Sequence, residues 1–136
     1  MVDLNALNGL CEKNYPGLLG IKMTLLDESQ VRAEMKITES HLAPNGYLHA
    51  GSVVSLADTT CGNGCIANLP DGASGFTTIE LKSNHLGTAI EGIVECVAKP
   101  VHLGKSTQVW DATVTSKESN KTIALFRCTQ MVLYPK

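Results

Sequence analysis

The run Asn45-Gly46-Tyr47-Leu48-His49-Ala50-Gly51 leads directly into Ser52-Val53-Val54-Ser55-Leu56-Ala57-Asp58-Thr59. A loop delivers an amide and an imidazole to the start of a helix, and a carboxylate follows about two turns inside it. The first-turn N–H groups of a helix have no upstream acceptor, so those around Ala50 and Gly51 can donate to a developing oxyanion, helped by the positive end of the helix dipole. Small side chains there leave room for an acyl group. Asp58 then serves as nucleophile, or as general base toward water. On this reading the helix start and the carboxylate lie close together and act on one carbonyl.

The elements that must carry these groups are visible in the pattern. From His49 to about Asn68 the residues are apolar or small on most sides (Val53, Val54, Leu56, Ala57, Cys61, Cys65, Ile66, Ala67), which predicts a buried helix. Its glycines Gly51, Gly62 and Gly64 each cost roughly 1 kcal/mol relative to Ala, so close packing or function must compensate. Upstream, Leu4, Leu7, Leu10 and Cys11 recur at helical spacing behind Asp3 as a cap, with Pro16-Gly17 ending that helix. Strands are expected over Leu18 to Leu26 and Gln30 to Ile37, the second alternating Val31, Ala33, Met35 and Ile37 with Arg32, Glu34 and Lys36. Four more follow, Gly75 to Asn84, Ala89 to Lys99, Ser106 to Ser116 and Thr122 to Tyr134. Their short connections imply an antiparallel meander.

The pattern Asn…His-x-Gly…Leu-Ala-Asp, with a helix before four strands, resembles the PaaI-like branch of the hotdog thioesterases, related to phenylacetyl-CoA and 4-hydroxybenzoyl-CoA thioesterases. The resemblance covers nearly the whole chain. It implies an α+β hotdog fold over residues 1–136, a long central helix wrapped by a curved antiparallel sheet of about six strands, and hydrolysis of an acyl-CoA to a free acid and coenzyme A. It implies that His49 orients the thioester, that the Ala50 N–H polarises its carbonyl, and that Asp58 is the acidic catalyst acting across a dimer interface. Asn45 and Thr78 resemble the residues that place the attacking water. Gly51, Thr59 and Thr77 join the substrate site, and the turn holding Lys105 and Ser106 is similar to the stretch near the coenzyme A phosphates. A homodimer, assembled into a homotetramer, is implied; a metal or organic cofactor is not. The family's common His-Gly-Gly is His49-Ala50-Gly51 here, which keeps the backbone donor but narrows its conformations.

Plainer readings stand beside these. Asp58 could be a helix-surface carboxylate, His49 a cap, Asn45 a turn former in Pro-Asn-Gly, Thr77 and Thr78 strand formers, and Lys105 a solvated turn. Trp110 reads as packing, and His41, His85 and His102 have no evident partner. Two other functions share the resemblance: a dehydratase or hydratase of acyl thioesters, and a non-catalytic acyl-CoA binding module. A buried carboxylate near the thioester is not needed for simple binding.

The 136 residues, 43% hydrophobic, suit one domain. A net charge of −2 without a basic stripe argues against nucleic acid. Neither a signal-like start nor a membrane-length apolar run occurs, so a cytoplasmic protein is expected. The odd set Cys11, Cys61, Cys65, Cys96 and Cys128 has no CxxC pair, fits reduced core thiols, and lacks zinc-ligand spacing.

Overall fold

A computed structural model describes residues 2–136. The chain order is α1 (Leu4–Glu12), α2 (Tyr15–Leu18), β1 (Lys22–Leu26), β2 (Val31–Lys36), a 3-10 turn (Glu39–His41), α3 (Ala50–Ala67), β3 (Gly75–His85), β4 (Ile93–Leu103), β5 (Thr107–Ser116) and β6 (Thr122–Leu133). The six strands form one antiparallel sheet in the order β1-β2-β4-β5-β6-β3, and α3 packs across one face of it. This is the expected hotdog arrangement.

The N-terminal helix forms as its spacing predicts, with the Asp3 carboxylate accepting from the Ala6 N–H at 2.8 Å. Pro16 does not stop the helical chain but opens a second short helix, a position where its missing N–H is harmless. The first strand therefore begins at Lys22 rather than Leu18. Asp27 folds the β1–β2 turn by accepting from the N–H groups of Ser29 and Gln30 at 2.8 and 3.0 Å. In β2 the alternation is realised, with Val31, Ala33 and Met35 buried toward α3.

The expected meander holds for β4-β5-β6 but fails for β3, which pairs with β6 at the sheet edge instead of with β4. Loop length misleads here. The seven-residue link Leu86–Gly92 can reach roughly 23 Å, whereas three strand spacings amount to about 14 Å. The link crosses the sheet end over the start of α3, tied down by Leu86 N and Gly87 N to Ile123 O, Leu48 N to Ala89 O, and Ile37 N to Gly92 O. The central place goes to β4, whose Val94, Cys96 and Ala98 are fully buried, while β3 carries Glu80, Lys82 and Asn84, residues suited to an edge.

The glycines of α3 are explained by the sheet beneath them. A Cβ at Gly64 would lie 2.6 Å from the Trp110 ring, and one at Gly62 would lie 3.0 Å from Phe76. Trp110 is buried as a packing residue, and its Nε1–H donates to Gln108 Oε1 at 2.8 Å. Gln108 in turn donates to the carbonyl of Asn68, the residue capping the end of α3. Inside α3, Thr60 and Asn63 satisfy their buried polar atoms by donating to the carbonyls four residues back, Leu56 and Thr59. All five cysteines are free and buried.

Candidate active site

The start of α3 is built by a chain of caps. His41, which has no evident partner in the sequence, is buried and fully engaged: its Nδ1 accepts from the Thr38 N–H and its Nε2–H donates to the Leu19 carbonyl, both at 2.8 Å. The His41 carbonyl accepts from the His49 N–H at 2.9 Å and from the Ser52 hydroxyl at 3.1 Å. His41 thus fixes where α3 begins. His49 is the N-cap, its Nδ1 accepting from the Gly51 N–H at 2.8 Å. That bond places the ring proton on Nε2, so His49 presents an outward N–H. Any Cβ at residue 51 would meet the His49 ring at 2.9 Å, which accounts for Gly51.

One donor expected at the helix start is therefore occupied, since the Gly51 N–H is spent on the cap. The Ala50 N–H, at the first helical position, has no hydrogen-bond partner among the described residues. Together with the His49 ring N–H it borders an open depression of about 450 Å³, lined also by Asn45, Tyr47, His85 and Thr88. The Asn45 side-chain oxygen Oδ1 accepts from the Tyr47 N–H at 3.1 Å, an Asx turn that shapes this loop.

Asp58 is half-buried on α3, and the Thr78 hydroxyl of β3 donates to its Oδ1 at 3.4 Å. Burial pushes the Asp58 carboxyl above the ordinary aspartate range, and the Thr78 hydrogen bond partly opposes this. Strand alternation turns the exposed Thr77 to the other face, beside Met131. Thr59, next to Asp58, is half-buried.

The sequence reading placed Asp58 close to the helix start; the structure separates them. Eight residues of helix at 1.5 Å each put Asp58 about 12 Å along the axis from Ala50. Within one chain, the N–H donors and the carboxylate cannot reach the same carbonyl. Lys105 and Ser106 lie farther away, in the β4–β5 turn at the sheet end where α3 finishes. There the Lys105 carbonyl accepts from the Tyr134 hydroxyl and the Ser106 carbonyl from the Val132 N–H.

Two polar groups near this site escaped the sequence reading. Gln108 and Gln130 occupy the buried phase of their strands, in line with Trp110, Ala112 and Val114 and with Phe126, Cys128 and Val132. A glutamine in that phase was the available signal.

Comparison with known proteins agrees with this architecture. Residues 45–123 match the model of the thioesterase superfamily. A 1,4-dihydroxy-2-naphthoyl-CoA hydrolase of Listeria monocytogenes is 32% identical over 82% of this chain and 89% of its own length. An enzyme of the same name from Escherichia coli is 33% identical over 83% and 82%. Among solved structures, a mutant thioesterase from Pseudomonas aeruginosa superposes with a TM-score of 0.91 at 29% identity, covering 98% of this chain and 95% of that one. A thioesterase from Haemophilus influenzae gives 0.88 at 30%, covering 98% and 92%. Fold and relatives together define a hotdog-fold thioester hydrolase. The chain belongs to the thioesterase superfamily.

Proposed function

We propose that this protein hydrolyses an acyl-CoA thioester to a free acid and coenzyme A, with Asp58 as the central carboxylate. The observation that carries this reading is the half-buried Asp58 held by the Thr78 hydroxyl on a helix whose first N–H is unengaged among the described residues. The 1,4-dihydroxy-2-naphthoyl-CoA hydrolases among its relatives favour an aryl or other bulky acyl group. The Ala50 N–H and the His49 Nε2–H polarise the carbonyl, and Asp58 attacks it or removes a proton from the attacking water.

Because those parts stand about 12 Å apart in one chain, the site is assembled from two copies, each giving its helix start to one thioester and its Asp58 to the other. The β3 edge supports such pairing: it is 11 residues long, its N–H and C=O groups on one side have no neighbouring strand among the described residues, and Ile79 and Leu81 are 52% and 42% exposed. Among the described residues no helix is long and apolar enough to cross a membrane.

The test is release of free coenzyme A across aryl, short and medium acyl-CoA thioesters, for wild type and Asp58→Asn. We expect hydrolysis by wild type and a loss of about a hundredfold to ten-thousandfold in the variant. A variant retaining most of the activity would exclude Asp58.

A further inference from the structure

Gln130 is completely buried, at 0% exposure, yet neither its Oε1 nor its Nε2 has a hydrogen-bond partner among the described residues. Its neighbour across the β5–β6 pairing, Gln108, is equally buried and uses both ends of its amide, accepting from Trp110 and donating to Asn68. Two identical side chains thus lie side by side facing α3, one satisfied and the other not. An orphaned amide is destabilising, and an apolar side chain of the same length would serve packing better. Such a violation is expected where the group has a task.

The pairing shows what lies beside it. Across the β3–β6 ladder, Gln130 stands directly opposite Thr78, whose hydroxyl donates to Asp58. Opposed side chains on one face have Cβ atoms roughly 5 Å apart, and a glutamine amide reaches several ångströms beyond its Cβ. That register sets the Gln130 side chain beside Thr78 on the face toward α3, where one bridging water would join its amide to the Asp58–Thr78 pair. A water in a polar site of this kind needs two to four partners, and the two amide atoms with the carboxylate supply them. Thr78 holds one oxygen of Asp58, through a long contact of 3.4 Å, and the other oxygen has no hydrogen-bond partner among the described residues.

We propose that Gln130 is a positioning residue for Asp58: its buried amide holds a water molecule that donates to the carboxylate and, with Thr78, fixes the plane of that carboxylate. This deepens the hydrolase reading and rests on it for its consequence in catalysis, but the contact itself exists whatever the reaction.

Gln130→Met removes the amide while keeping the length of the side chain, and Gln108→Met serves as a control. Carboxyl carbon-13 NMR follows the titration of Asp58 in each protein, alongside thermal unfolding and kcat and KM on an acyl-CoA that wild type hydrolyses. In Gln130→Met the Asp58 titration moves to higher pH, because a donor to the ionised form is lost. Its kcat falls about tenfold to a hundredfold with KM within about twofold, and its thermal midpoint is not lowered. In Gln108→Met the midpoint falls while the Asp58 titration stays in place. In the unaltered protein, cross-relaxation between the Gln130 amide protons and a long-lived water is expected, a measurement that needs no variant to fold. An Asp58 titration identical in wild type and Gln130→Met, or no such water signal, overturns the proposal. If the titration moves but wild type cleaves no thioester, the positioning contact stands and the hydrolase reading falls.

Discussion

Asp58 joins two requirements that pull in opposite directions. It must be ionised to act as base or nucleophile, yet burial favours its neutral form, and Thr78 is the group that favours the charge. The activity should therefore fall on acidification with a limb above the ordinary aspartate range, read from kcat/KM against pH. Thr78→Val removes the opposing hydrogen bond, so that limb should move to higher pH, with little effect on the alkaline side. The same shift has a sign for stability. A carboxyl whose pKa is raised by folding contributes stability below its unfolded pKa and loses it as pH rises through the folded one. Asp58→Asn should accordingly unfold at the same temperature as wild type or higher at neutral pH, while catalysis is lost. Asp58 was legible as a candidate because an acidic residue interrupts an apolar helix, whereas Gln130 was not, since nothing in a strand pattern says whether a buried amide finds a partner.

The long helix α3 was readable almost to the residue, because His49 and Asn68, its caps, bracket a stretch with few polar side chains. What its glycines were for was not readable, since the Trp110 ring that fills the space over Gly64 lies on β5, far along the chain. Gly64→Ala should destabilise the protein. Overpacking against the indole costs about 1–3 kcal/mol, against a gain of about 1 kcal/mol in helix propensity. Gly9→Ala in α1, where nothing lies within 4 Å of the added methyl, should instead stabilise by about 0.4–1 kcal/mol. Denaturant unfolding of the two variants measures both signs. Alternation located β2, and strand-like runs with short connections located β5 and β6, but the place of β3 depends on a link that passes over the start of α3, and link length alone does not show where it leads.

For the whole molecule, the 12 Å between Ala50 and Asp58 makes pairing of copies a condition of activity under the proposed function. Ala50→Pro tests this with little structural disturbance. Proline is well accepted at the first helical position, and His49 already has the extended backbone, ψ 134°, that a following proline requires. The variant should fold and lose about a hundredfold to a thousandfold in kcat through the missing N–H. Mixing unfolded Ala50→Pro and Asp58→Asn chains and refolding them together should restore hydrolysis. A mixed pair then contains one site with both an intact helix start and an intact Asp58. Failure of the mixture to recover activity, with both variants folded and paired, would place the two groups in one chain.

The sequence by itself determined the local pieces: a capped buried helix, an alternating β2, a turn at Asp27, and the order of His49, Ala50 and Asp58 along one helix. These depend on periodicity, capping and turn chemistry, which act between near neighbours. Tertiary structure alone decided which residues meet across the chain: the Thr78 hydroxyl on Asp58, His41 behind His49, Gln130 beside Thr78, and β3 at the edge next to β6. Those outcomes follow from strand register and from competition for burial against α3, and both are properties of the assembled sheet.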